Sequence, residues 1–546
     1  MKRKTKPSQK HIRDARDQTA TREGTANLLR DWGFGFRAAW LWNELDEMYP
    51  GKKGFIPPSD PEDAEEIETP GVIESADAGR EWTTNKTMVF TSAQSNTKVH
   101  QPFLEALEHF CDWRGATLHI SQFTYNKASH GKKSVKPGAD TQEGEKLWFD
   151  PAIAPYVSDS SLQLAEDLVW CGELNVIPTM KFPLTQFKTY TRQDSAIIPH
   201  AKMAMESVPT MKGFPTKMLY TTGAVTQRNY IEKTAGQVAD FHHVFGAVIV
   251  EVDDDGAWWV RQLNAKNDGS FYDKNEFFTR QAVFPNQRVQ AVTHGDIHWD
   301  KRDDAVLEAV FKKHGILDQL EPREQFFHDT IDFSARNHHN IKDGHFLHEM
   351  RVKGTDNVEA EFIDAARFLS TTAYRDWCKS VVVTSNHDQA VEIWLRNHAA
   401  LMDATNIKFW HRLNYYCHHE IDEGRMPRPF AFALMCYMGE ELLNNVTMVH
   451  EDDSYLILGS IQAGLHGHLG PNGARGAPKN LRTVGKANTG HTHTAGIVDG
   501  VYTAGAYGLL DMVYNKGLSS WSHSLIVTYP NAKRAIYTIK NGKAWR

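Results

Sequence analysis

Apolar and polar positions alternate along this chain at helical and strand periods, and the way the strands end changes part-way through. Over residues 85–285 the pattern predicts a mixed α/β region. Thr87 to Thr91 and Ala116 to Ile120 read as strands, with an amphipathic helix, Gln101 to Trp113, between them. Val244 to Val252 is an apolar strand. Ala257 to Leu263 follows it across the turn Asp253 to Gly256, which predicts a β-hairpin. From about residue 286 short apolar strands end in polar clusters. Arg288 to Thr293 runs into Gly295-Asp296-Ile297-His298, Glu324 to Phe327 into His328-Asp329, and Ser380 to Thr384 into Ser385-Asn386-His387-Asp388. Tyr455 to Ile461 leads to His466-Gly467-His468, and Thr489-Gly490 opens into His491-Thr492-His493. Helices such as Asp304 to His314 and Ala360 to Trp377 lie between them.

Ahead of both regions, residues 1–50 carry two helical stretches, Ala20 to Trp32 and Phe36 to Met48, around Gly33 and Gly35. With Arg13, Arg16, Arg22, Arg30 and Arg37 nearby they read either as a degenerate helix-turn-helix or as a helical hairpin packed on the rest of the protein. Residues 51–84, with four prolines and an acidic run from Asp60 to Glu68, read as a linker. The net charge of -7 over 546 residues gives no global basic field, so a nucleic-acid partner has to be held by local patches. Five cysteines without a CxxC pair read as buried thiols in a reducing compartment. No apolar run reaches transmembrane length, and no apolar segment follows the basic N-terminus, so the expected location is the cytoplasm of the producing cell.

Ligating residues at the ends of successive strands gather at one edge of a sheet, where open α/β sheets build their sites. Mixed Asp, His and Asn donors suit Mn, Fe or Zn better than the all-oxygen shells of Ca or Mg. A carboxylate shared by two ions sets them about 3.5–4 Å apart, the spacing that clamps an in-line displacement at phosphorus.

In this order the clusters resemble the motifs of the calcineurin-like metallophosphoesterases, DxH, GDxxD, GNHD, a His before Gly, and GHxH, over roughly residues 286–510. The resemblance implies a C-terminal four-layer β-sandwich flanked by helices (residues 286–546), preceded by the mixed α/β domain. It implies two divalent ions, manganese first, with Fe, Zn or Mg as alternatives. Asp296, His298 and His493 would bind the first ion, Asn386, His466 and His491 the second, and Asp329 would bridge them. His387 would be the general acid or a transition-state stabiliser, with Asp388 orienting it. Two family glycines are replaced, by His328 and Ser385, and His468 is an alternative to His466. The loop carrying Asp332, Arg336, His338 and His339 either touches the substrate phosphate or is a solvated turn. The same two readings apply to Arg475 in its Gly-rich loop. His242 and His243 read as structural.

The second histidine of GHxH is closer to the phosphodiesterase and SbcD-type nuclease branch than to the protein phosphatases. The strings Ser92 to Thr97, Asn229-Tyr230-Ile231, Phe241-His242-His243 and His466 to Gly476 are similar to those of DNA-degrading early proteins of T5-type bacteriophages. Together these imply a metal-dependent deoxyribonuclease, phage-encoded and working on DNA in the host cytoplasm, that pairs into a homo-oligomer as SbcD-type nucleases do. The alternatives are a phosphatase or phosphodiesterase for a small or protein phosphoester, and a DNA-binding scaffold with a metal site kept for folding.

Overall fold

The computed structural model describes residues 86–125, 148–397, 401–512 and 514–546, with isolated positions before residue 46. The possible helix-turn-helix of residues 1–50 lies outside the described residues except for a few isolated helical positions, and the linker at 51–84 lies outside them entirely. Residues 83–546 form one compact unit.

Among the described residues the first sheet comprises β1 (Lys86–Gln94), β2 (Thr117–Phe123), β3 (Gly246–Val252) and β4 (Trp258–Asn264), in the order β2-β1-β3-β4. Helix α1 (Gln101–Arg114) joins β1 to the parallel β2 and buries Phe103, Leu107 and Phe110 against Val89, Ala247 and Ile249. Gly115 ends the helix at φ 61°, a left-handed conformation that glycine takes without a Cβ penalty.

A second sheet contains β5 (Ala291–Thr293), β6 (Glu324–Phe327), β7 (Lys379–Val383), β8 (Val446–Val449), β9 (Ser524–Thr528) and β10 (Arg534–Thr538), in the order β8-β7-β6-β5-β9-β10. The four strands β5 to β8 are parallel, and β9 and β10 are antiparallel additions at one edge. Gln262 and Asn264 of β4 bond to Ile536 N and Arg534 O of β10 at 2.8 Å each. One face of this sheet is covered by helices α2 (Asp304–Phe311), α3 (Val358–Arg367), α4 (Asn386–Leu395), α5 (Ile407–Asp422) and α6 (Pro429–Met435), which bury Val310, Phe362, Val391, Phe409 and Phe430 in one core with Val292, Phe327 and Val382. α3 stops at Arg367 and runs into a π-helical turn, so the helix expected to reach Trp377 is shorter.

The other face packs Ala291, Phe326, Val381 and Val383 on Ile457 and Ile461 of a ten-stranded sheet. Tyr455 to Ile461 is not one strand as expected. It is a tight hairpin, Leu456–Ile457 with Ile461–Gln462, turned by Leu458 (φ 50°) and Gly459 (φ 65°). The long sheet draws strands from both halves of the chain. Gly496–Val498 pairs antiparallel with Met205–Val208, so segments between 161 and 221 extend a sheet that carries Ala487–Thr489. Residue 286 therefore marks a change in chemistry along the chain and not a break between sheets. Of the cysteines, Cys111, Cys171 and Cys378 are buried, whereas Cys436 is exposed, against the expectation of five buried thiols. Among the described residues no helix is long and apolar enough to cross a membrane.

Candidate metal centre

The parallel strands aim their C-terminal ends at one spot. Asp296 and His298 follow β5, Asp329 and Asp332 follow β6, and Asn386 and His387 follow β7 at the first turn of α4. The facing long sheet delivers His466 beyond Ile461–Gln462, and His491 and His493 beyond Ala487–Thr489. His298, Asp329, His491 and His493 all have positive φ, from 45° to 72°. For residues other than glycine this costs roughly 1–2 kcal/mol each and needs a compensating interaction.

The side chains converge. His298 Nε2 is 2.8 Å from His493 Nε2 and 3.3 Å from Asp329 Oδ2, and His493 Nε2 is 3.3 Å from Asp296 Oδ2. On the other side of Asp329, His466 Nε2 lies 3.4 Å from Oδ2 and 3.1 Å from Asn386 Oδ1, which is itself 3.0 Å from His491 Nδ1. Donors bound at about 2.1 Å with angles between 90° and 109° stand about 3.0–3.4 Å apart, so these are the spacings of atoms sharing an ion. Asp296, His298, Asp329 and His493 form one buried group able to hold a metal, and Asp296, His328 and His466 another. Asp296 Oδ1 and Asp329 Oδ1 are buried with no hydrogen-bond partner. Leaving carboxylate oxygens unpaired in a protein interior costs several kcal/mol unless a cation meets them, so the donor set fits a divalent ion.

Electrostatics follow from the crowding. Burial and the neighbouring Asp329 push the Asp296 carboxyl well above its usual range. Burial acts the same way on Asp329, but the imidazoles of His466, His387 and His298 and a bond from Ser385 bring it well below. Burial lowers His466 and His493 far below an ordinary histidine, which keeps both as neutral donors.

Surrounding groups fix these side chains. Asp332, fully buried, accepts from His298 Nδ1 at 3.1 Å and Lys301 Nζ at 3.0 Å, and its backbone carbonyl accepts from His387 Nδ1 at 2.6 Å. Two main-chain N–H groups, of Asp332 and Phe333, bond to Glu361 at 2.6 and 3.0 Å. Gly490 allows the Asp296 carboxylate to approach the chain, since a Cβ there would stand 2.1 Å from Asp296 Oδ1.

A comparison with known proteins bears on this arrangement. The chain is 39% identical over 492 residues to Protein A1 of Escherichia phage T5, covering 88% of this chain and 86% of that protein. The chain belongs to the A1 family. No family model matches it, and no solved structure does.

Within this A1-family fold several expected residues sit differently. Asp388 does not touch His387. Its Oδ2 accepts from Ser385 N at 2.8 Å while Ser385 Oγ accepts from Asp388 N, a capping box that starts α4. Ser385 has φ -117° and needs no glycine. Arg336 spends its donors on Asp403 and the Ala335 carbonyl, which leaves it bound to the helical layer and not at the cluster. His338 and His339 are exposed, their rings tilted at 42° with centroids 3.9 Å apart. Arg475 is exposed and is one of the charges, after burial and the effects of Asp329 and His387, that act on the lowered pKa of His491.

Two further imidazoles stand beside the cluster, one of them His468, the alternative to His466. His328 is fully buried with Nδ1 3.3 Å from His466 Nδ1. His468 has both nitrogens buried without a partner, 5.4 Å from the His466 ring. The strings near residues 94 and 229 meet each other far along the sequence: Gln94 Nε2 donates to Asn229 O and Asn229 Nδ2 to Asn96 O, both at 2.9 Å. His243, buried, bonds to Tyr230 OH at 2.7 Å and to the Thr226 carbonyl at 3.0 Å, a structural role. His242 Nε2 lies 3.9 Å from Asp499.

Proposed function

We propose that the chain is a two-metal phosphodiesterase of the metallophosphoesterase type that cuts DNA inside the phage-infected cell. The observation that carries the reading is the convergence of Asp, Asn and His donors at ligand spacing around two buried carboxylates with unpaired oxygens. The order of these donors along the chain matches the metallophosphoesterase motifs, and a parallel sheet packed on a second sheet is compatible with that sandwich. DNA as substrate rests on the GHxH form ending in His493, on the similarity to DNA-degrading phage proteins, and on membership of a phage family.

Asp296, His298, Asp329 and His493 would hold one ion, and Asp329, Asn386, His466 and His491 the other. Two divalent ions bound there supply Lewis acidity, drawing charge from phosphoryl oxygens and lowering the pKa of water. The protein supplies position and protons. His387 is committed through Nδ1 to the Asp332 carbonyl, so Nε2 is the nitrogen left to meet a leaving oxygen. Its side chain is 16% exposed, against none for His298, which sets it at the mouth of the cluster. Asp332 braces His298 through its carboxylate, as carboxylates behind metal-bound imidazoles do, and His387 through its backbone carbonyl.

The test is degradation of linear and circular DNA by the purified chain with Mn, Mg, Fe or Zn, with chelator and Asp329→Asn as controls. Metal-dependent loss of DNA that both controls abolish supports the reading. Hydrolysis of p-nitrophenyl phosphate with DNA left intact would instead favour a phosphatase.

A further inference from the structure

Two chains of contact lead outward from the metal-binding histidines and meet at one ring. From His493 the path runs to Trp521, edge-on with centroids 4.2 Å apart, and on to Tyr514 at 5.8 Å, again edge-on. From His298 it runs through the Asp332 carboxylate to the Lys301 ammonium, which stands 5.0 Å from the centroid of the Tyr514 ring. Tyr514 is thus held on two sides by groups tied to the cluster, yet it is 53% exposed. With Lys301 over the ring and Trp521 packed edge-to-face against it, about half of the side chain still meets solvent. An aromatic ring so fixed forgoes much of the burial that ordinarily fixes it.

The neighbourhood suits a flat apolar ligand beside an anionic one. Burial, and then the carboxylates of Asp332, Asp329 and Asp296, push the Tyr514 hydroxyl up, which puts the ring within electrostatic reach of the cluster. Leu510 and Leu518 of the same loop are exposed, as are Met211 and Phe214 on the loop facing it. The two loops are fastened by backbone bonds between Thr210 and Ser519 at 2.8 and 2.9 Å and by Thr216 Oγ1 to Trp521 O at 2.5 Å.

We propose that the exposed part of the Tyr514 ring, braced by Trp521 and Lys301, is the stacking platform for a nucleobase of the strand whose phosphate lies at the metal centre. The proposal rests on the phosphodiesterase reading above and adds that the substrate is recognised through a base as well as through its phosphate. Every base has a π-face, so this platform holds a strand without reading its sequence.

The experiment uses the full chain and compares ligands with and without a base. In chelator, a labelled oligothymidylate and an abasic deoxyribose-phosphate chain of equal length are titrated by fluorescence anisotropy. With Mn, thymidine 5′-(p-nitrophenyl) phosphate is compared with methyl p-nitrophenyl phosphate, which has the same leaving group and no base. Tyr514→Ala is expected to reduce the preference for the base-containing ligand in both assays, by roughly 5- to 150-fold for one lost base stack, mainly through Kd and KM. Tyr514→Phe should retain the preference, which separates loss of the ring from misfolding. A Tyr514→Ala chain that keeps both preferences overturns the platform. So does one that loses them only together with a change in particle mass by light scattering, because the ring then faces a second copy of the chain. A wild-type chain that cleaves neither ester with any metal refutes the phosphodiesterase reading, and the titration in chelator still judges the platform.

Discussion

Gly490→Ala should inactivate the centre without unfolding the protein. The added Cβ would lie 2.1 Å from Asp296 Oδ1 and 3.0 Å from its Cγ. Real Cβ atoms essentially never come closer than 3.0 Å to another heavy atom, so the carboxylate oxygen has to retreat by most of an ångström. A metal ligand tolerates about 0.2 Å. Misplacing a reacting constellation by about 1 Å costs on the order of 100-fold in rate. The same movement strains the bond from His491 N to Asp296 Oδ2, now 2.6 Å, and so disturbs both proposed ion sites at once. Gly490 does not have a left-handed φ, so the clash and not backbone strain is what the substitution tests. The assay measures metal content by elemental analysis, DNA cleavage with Mn, and thermal unfolding on one preparation. Expected are loss of stoichiometric metal and at least about 100-fold slower cleavage, with cooperative unfolding retained. Gly344→Ala is the control, because a Cβ there meets nothing within 4 Å and its φ is ordinary. A Gly490→Ala chain that binds metal and cuts at the wild-type rate would refute the assignment of Asp296 as a ligand.

Other predictions follow from the same contacts. His387→Ala should keep its metal and its DNA binding while cleavage falls by about 100- to 10,000-fold, the worth of a positioned general acid; loss of metal would make His387 a ligand instead. Asp388→Asn should cleave near the wild-type rate, because burial and then Asp329 hold this carboxyl well above its usual pKa, and asparagine mimics the neutral form in the cap; an orienting role would show as a large loss of rate. Asp332→Asn should weaken metal binding by about 10- to 100-fold, measured by calorimetry, since it takes the charge from behind His298. Removing metal with chelator should lower Tm, because a ligand at 100 times its Kd contributes about 2.7 kcal/mol to the folded state; an unchanged Tm would mean the cluster holds no ion.

Much of the centre was legible because its donors follow strands. Asp296, Asp329 and Asn386 each come within a few residues of a short apolar run, and a run of that kind between polar clusters is what a buried parallel strand looks like. The supporting groups were harder to see. Asp388 follows His387 in the chain, which invites a partnership, yet at a helix start the third residue faces the cap. Asp332 and His328 flank Asp329 in the sequence motif, but they act through contacts with residues 34 and 138 positions away, which the motif does not name. The long sheet was illegible for a related reason. Strands such as Leu168–Cys171 and Ser195–Ile198 are four residues each and buried throughout, so they show no alternation from which a sheet or its partners can be read.

The pairing of Gly496–Val498 with Met205–Val208 ties the site to the order in which the chain can fold. Three residues after His493, the segment needs a partner that lies almost 300 positions earlier. Without residues 205–208 it would present an unsatisfied row of peptide groups, the kind of edge that recruits other chains. A fragment beginning at residue 286 would carry every proposed ligand and still be expected to associate through that edge rather than stand alone. Closing so long a loop also makes this contact a slow one to form. The loop holding His491 and His493 is therefore expected to gain its last anchor late, once residues 205–208 have joined the local pairings around Val501–Thr503.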